Sequence, residues 1–137
     1  MAEGHEQHDK QDANALKGTH GIRRIYNAFQ YSMAGFAAVF KDEAAFRQLC
    51  VLNAVLIPIA FMVEVSAVER VVLVLTPLFC LVVELLNSAV ENVVDRISME
   101  LHPLSKKAKD MGSAAQLVAM TMVGLAWLII LTATHAG

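Results

Sequence analysis

Charged residues are scarce in this chain. They make up 18% of its 137 residues, and none stands between Val71 and Val83, which reads VVLVLTPLFCLVV. A soluble domain of this length has too little interior to hide a composition that is 56% hydrophobic with a mean hydropathy of +0.50. Composition alone therefore points to a membrane protein. Cysteine is nearly absent: Cys50 and Cys80 lie in separate apolar segments, with no CxxC and no Cys/His cluster. That argues against a disulfide or a metal role and leaves two small buried hydrophobes. No GxxxxGK[ST], HRD or DFG signature is present, so neither common ATP-binding scaffold applies. The first residues, MAEGHEQHDKQDANALKG, lack the apolar core of a secretory signal and any periodic apolar pattern. Residues 1–18 are expected to be a polar, disordered arm in which His5 and His8 are solvated rather than metal ligands.

What is abundant is apolar and comes in long runs. Spans are expected over about 46–63, 67–96 and 113–134, in one integral-membrane domain covering 19–137. Pro58, inside the first span, is better tolerated in lipid than in water. The second span is about 45 Å long at 1.5 Å per residue, so one end must project beyond a hydrocarbon core of about 30 Å. Between the second and third spans a polar connection, SMELHPLSKKAKD, is expected. Upstream, over 21–40, Ile22, Ile25, Phe29, Met33, Phe36 and Phe40 recur every three or four residues, with Arg23, Arg24, Asn27 and Gln30 on other faces. That spacing predicts an amphipathic helix lying in the membrane interface, or else docked on protein.

Basic residues are distributed unevenly. Six Lys or Arg precede or include Arg47, four lie from Arg96 to Lys109, one (Arg70) lies in the turn between the first two spans, and none follows Asp110. The bias places the N-terminus in the cytoplasm, the 64–70 turn outside, the 96–110 segment inside and the C-terminus outside.

Against this background one stripe stands out. Glu84, Asn87, Ser88, Glu91 and Asp95 share a narrow face at 100° per residue, directly after the uncharged run. A charge facing lipid costs about 2.5–3.5 kcal/mol on insertion scales, so these groups face protein or a water-filled cavity and serve a function. Counting from Arg70, Glu84 lies about 21 Å along the axis and Glu91 about 31 Å. Glu84 is thus inside the cytoplasmic leaflet, and Glu91 and Asp95 are at its boundary with water. Asp42 and Glu43, before the first span, and Lys109 and Asp110, before the third, reach the same layer. Taken singly, Glu43 and Lys109 read as solvated interfacial charges; their convergence with the stripe reads as a site. Two carboxylates such as Glu43 and Glu91 can hold Mg²⁺ together with substrate phosphates, and Lys109 can offset phosphate charge. Glu84, deeper and drier, is suited to taking a proton from a lipid hydroxyl. The set matches phosphoryl transfer, where catalysis is mostly positioning and charge compensation.

Three segments carry a specific resemblance. Asp42-Glu-Ala-Ala-Phe-Arg-Gln48, Glu84-Leu-Leu-Asn-Ser-Ala-Val-Glu91-Asn-Val-Val-Asp95-Arg96 and Lys106-Lys-Ala-Lys-Asp110-Met-Gly-Ser-Ala-Ala115 are similar to the prokaryotic diacylglycerol kinase family, over roughly Gly21 to Leu131. The resemblance implies an all-α helical bundle: three transmembrane helices and an N-terminal amphipathic surface helix per chain, working as a homotrimer with shared sites in the bacterial inner membrane. It implies ATP as phosphoryl donor, Mg²⁺ as cofactor, and a diacylglycerol-type lipid converted to phosphatidic acid. By motif, Glu84 would be the general base and Asn87 would orient the reacting groups. Glu43 and Glu91 would be the metal ligands. Lys109 would bind phosphate, supported by Asp95 and Asp110, with Glu100 and His102 near the nucleotide. Arg24 would lie near lipid and phosphate, and Ser32 near the lipid. Leu49 stands where the family often has Glu, and Met33 where an aromatic is frequent. Three other readings stay open at this point: an undecaprenol kinase, a non-enzymatic proton or ion relay, and a structural subunit whose carboxylates pair at assembly. The relay is weakened by the first and third spans, which hold no carboxylate, and by the gap between Glu69 and Glu84.

Overall fold

A computed structural model describes residues 21–97, 100 and 102–135; the polar arm expected over 1–18 lies outside them. Every element among the described residues is an α-helix: α1 (Ile22–Asp42), α2 (Ala44–Met62), α3 (Ala67–Ile97) and α4 (Pro103–His135). The last three are each long and apolar enough to cross a membrane. The chain forms two compact units, one ending at Ala38 and one running from Val39.

In the first unit, Gly21 takes a left-handed backbone (φ 74°), which glycine tolerates without a Cβ penalty, and its carbonyl accepts from the Arg24 and Ile25 N–H groups to start α1. Ile22, Ile25, Phe29, Met33 and Phe36 are all exposed.

In the second unit α3 is the middle helix, packed against α2 on one side and more extensively against α4 on the other. Its start is a capping box. The Ser66 backbone N–H donates to the Glu69 carboxylate at 2.8 Å, and the Ser66 hydroxyl accepts from the Glu69 N–H at 3.3 Å. Leu49, Ala60, Leu73, Cys80, Ala119, Val123, Trp127 and Ile130 form one buried cluster. Small residues on all three helices, Ala60, Cys80 and Ala119, let the backbones approach, as intramembrane packing requires. Leu49 thus fills core volume where a Glu would have offered a polar contact. Cys80 is buried, Cys50 is half-buried, and both are unbridged.

Pro77 sits inside α3 and has no N–H for the carbonyl of Leu73, one turn earlier. The Trp127 indole N–H from α4 donates to that carbonyl at 3.2 Å. From the other side, the buried Asn53 amide on α2 donates to the Pro77 carbonyl at 3.0 Å and to Leu49 O at 2.9 Å. The carbonyl that the proline frees is thereby satisfied by α4, and the bond from α2 to the same turn completes a polar link between the three spans.

The connection expected between the second and third spans is mostly helix. α4 begins at Pro103, ten residues before the apolar run. Pro at the first helical position loses nothing, since that N–H has no partner in any helix. The His102 ring accepts from the Leu104 N–H at 3.2 Å, and Lys106 and Asp110 pair one turn apart. The resulting 33-residue helix is about 50 Å long and carries Lys109 and Asp110 on a rigid rod rather than on a loop.

Candidate active site

The acidic stripe continues the packing seam of α3. Its buried residues are Leu73, Pro77, Cys80, Glu84 and Ser88, spaced four, three, four and four apart, so the face that carries the core also carries the carboxylate. Glu84 is only 4% exposed; Glu91, two turns on, is half-buried, and Asp95 is exposed. The stripe runs from dry interior to open surface within three turns.

One carboxylate from outside α3, Glu43, joins it. The charges of Glu91 and Glu43 both act on Glu84. Glu43 is the lone non-helical residue between α1 and α2, with extended backbone (φ −107°, ψ 113°), and its carboxylate makes no capping bond on α2. The break is held by Arg47, whose guanidinium donates to the Phe40 and Lys41 carbonyls at 2.9 and 3.0 Å, placing a cation on the carbonyl end of α1. Arg47 thereby fixes the corner that presents Glu43, a role its place in the first motif did not reveal.

On the other flank the Asn87 amide donates to Glu91 Oε1 at 3.2 Å, while Asn87 Oδ1 is buried and has no hydrogen-bond partner. Lys109 Nζ, on α4, meets Asp95 Oδ1 at 2.6 Å, and the charge of Glu91 acts on the same ammonium. Both partners keep about two-fifths of their side-chain surface exposed (40% and 45%), so the pair is open to a water-borne ligand. Glu43, Glu84, Asn87, Glu91, Asp95 and Lys109 therefore form one neighbourhood.

The remaining expected residues have local partners or open surroundings of their own. Asp110 pairs with Lys106 on an exposed face of α4, His102 caps that helix, and Glu100 is exposed. Arg24 and Ser32 are exposed on α1, in the unit that ends at Ala38, where the Ser32 hydroxyl donates to Ala28 O at 3.0 Å. Gln116, not singled out by any motif, buries an unpartnered Oε1 one turn beyond Gly112 on α4.

Among the described residues no group of three or more His, Cys, Asp and Glu is gathered to hold an ion unaided. The Glu43 and Glu91 carboxylates are hard oxygen donors, of the kind Mg²⁺ takes when phosphate oxygens supply the other ligands. The residues fit an ion that arrives with a nucleotide, not a preassembled cage.

The family described as prokaryotic diacylglycerol kinase matches residues 30–131. The diacylglycerol kinase of Pseudomonas aeruginosa is 59% identical over 116 residues, covering 85% of this chain and 94% of its own. That of Escherichia coli K12 is 46% identical over 113 residues (82% and 93%), and that of Haemophilus influenzae 43% over 109 (80% and 92%). The match spans the Glu43 corner, the α3 stripe and the Lys109 end of α4 together, at identities far above the level that fixes a family, and this chain belongs to the prokaryotic diacylglycerol kinase family.

Proposed function

We propose that this chain transfers the terminal phosphoryl group of ATP to the free hydroxyl of diacylglycerol, giving phosphatidic acid and ADP, at the cytoplasmic face of a bacterial inner membrane. The observation that carries the reading is the graded site: a buried Glu84, under the charges of Glu91 and Glu43, opening through Asn87 and Glu91 to the half-exposed Lys109–Asp95 pair. A lipid hydroxyl reaches Glu84 from the bilayer side, and ATP reaches Lys109 from water.

The chain's own groups divide the work. Glu84 accepts the hydroxyl proton as the lipid oxygen bonds to the terminal phosphorus and the bond to the leaving diphosphate breaks. Asn87, held by Glu91, aligns the reacting groups. Lys109 exchanges part of its attraction for Asp95 for the incoming phosphates, and Glu43 and Glu91 would hold the metal. Mg²⁺, when bound, neutralises charge on the transferring and leaving phosphate oxygens. By motif, Glu100, His102 and Asp110 would serve the nucleotide, Arg24 phosphate and lipid, and Ser32 the lipid, and α1, with its exposed apolar face, suits the membrane interface. The exposed apolar faces of α3 and α4, including Phe79, Leu125 and Leu128, suit packing against copies of the same chain, in a homotrimer whose neighbours complete each site.

Purified protein given labelled ATP and Mg²⁺ with a panel of lipid alcohols tests this. Label is expected on diacylglycerol, at least about tenfold faster than on undecaprenol, a margin one well-formed pocket contact supplies. Faster labelling of undecaprenol assigns the chain to that chemistry. Transfer to no alcohol, with proton leak through vesicles that contain it, assigns a relay.

Orientation gives a second expectation. In a background lacking Cys50 and Cys80, a cysteine at exposed Glu64 should react with an impermeant thiol reagent from the periplasmic side and one at exposed Lys107 should not. Both positions spare the Ser66–Glu69 cap. The reverse pattern puts Glu91 and Lys109 out of reach of cytoplasmic ATP and ends the kinase reading.

A further inference from the structure

We infer that Gly112 on α4 is a positioning residue for the phosphoryl-transfer site, acting by leaving room for the Asn87 amide. This rests on the proposed part of Asn87 in the reaction. A Cβ added at Gly112 would overlap Asn87 Oδ1 and lie 3.0 Å from its Cγ. The other glycines within helices, Gly35 and Gly124, meet nothing within 4 Å, so the close approach is particular to this position.

Backbone geometry does not call for glycine here. Gly112 sits in the interior of α4 and has no positive φ, and in that setting alanine is the better helix former. What glycine provides is a bare Cα against which the amide lies. From that seat the Asn87 Nδ2 amide donates to Glu91 Oε1 at 3.2 Å, while its Oδ1 lies buried against Gly112.

The group that a Cβ would strike is the tip of a flexible side chain, not backbone. Asn87 also borders an open apolar groove of about 430 Å³, beside Val83, Leu86 and Met111, into which it can swing. Gly112→Ala should therefore spare the packing of α3 on α4 and cost only the placement of the amide. Stability and activity should move in different directions, which no merely structural glycine would show.

The test uses the full-length protein in lipid–detergent micelles, comparing Gly112→Ala, Asn87→Ala and the double variant for kcat, for KM towards Mg·ATP and diacylglycerol, and for thermal unfolding midpoint. Gly112→Ala should lower kcat about 100-fold, the scale of a misplaced positioning group, with KM values little changed and a midpoint equal to or above that of the parent. The double variant should be no slower than the slower single one, as for residues acting as a unit. Multiplying losses, a lowered midpoint, or near-parental kcat in Gly112→Ala beside a crippled Asn87→Ala would each overturn the inference while leaving Asn87 in place. Near-parental kcat in Asn87→Ala would remove Asn87 from the reaction and the inference with it, and that single arm identifies which reading failed.

Discussion

Glu84→Gln should reduce lipid phosphorylation by about 10²- to 10⁴-fold, the range general-base catalysis contributes, while the protein folds and assembles as before. The substitution is nearly isosteric and removes only the ability to take a proton. At a position 4% exposed, on the same seam as Leu73, Pro77 and Cys80, shape decides packing, and glutamine keeps the shape. Glutamine also carries no charge that the buried seam has to accommodate. The unfolding midpoint should stay level or rise. KM for Mg·ATP should hold, because the nucleotide end proposed for the site, at Lys109 and Asp95, lies about three helical turns along α3 from Glu84. A well-folded Glu84→Gln protein that keeps more than a few per cent of parental kcat would remove Glu84 as the base. A lowered midpoint, by contrast, would mean that the carboxylate is structural and that some other group accepts the proton.

The contrast between Glu84 and its neighbours shows what was legible in the sequence. Polar residues at helical spacing inside an apolar run are conspicuous because each one breaks the composition around it. Glu84, Asn87, Ser88, Glu91 and Asp95 could be placed on one face from their numbers alone, and burial deepest at Glu84 follows the depth ordering. The start of α4 was not legible, because His102 to Asp110 has no apolar period. That segment is held by a proline at the first position, a histidine cap and an ion pair one turn apart, none of which a hydropathy reading weighs. Nor was the link at Pro77. Asn53 and Trp127 are isolated polar atoms in apolar runs, and only the helix packing shows that one donates to the Pro77 carbonyl and the other to the Leu73 carbonyl that Pro77 leaves open. Arg47 and Gly112 were hidden for a related reason. Each acts through another residue's placement, Glu43 in one case and Asn87 in the other, and such relations exist only in three dimensions.

Removing either carboxylate of the proposed metal pair, Glu43 or Glu91, should be nearly as damaging as removing Glu84, and removing both should add little. Glu43, fixed at the helical break by Arg47, and Glu91, half-buried on α3, come from separate elements and both act on Glu84. If they share one ion, Glu43→Ala and Glu91→Ala each leave it under-coordinated. Each should lower kcat about 100-fold or more and raise the Mg²⁺ concentration for half-maximal rate, with the double variant close to the worse single one, as for groups that work as a unit. Glu91 carries a second duty that must be separated from the first, since its Oε1 accepts the 3.2 Å bond from Asn87. Glu91→Gln separates them: a glutamine oxygen still accepts from the Asn87 amide, yet the charge that holds a hard cation is gone. The Mg²⁺ requirement of Glu91→Gln should therefore rise as far as that of Glu91→Ala. A Glu91→Gln protein with parental Mg²⁺ dependence would make Glu91 a support for Asn87 alone. Losses at Glu43 and Glu91 that simply multiply in the double variant would mean that the two carboxylates hold no common ion. Phosphate charge would then have to be compensated chiefly by Lys109, and Lys109→Ala should in that case be the most damaging change at the nucleotide end of the site.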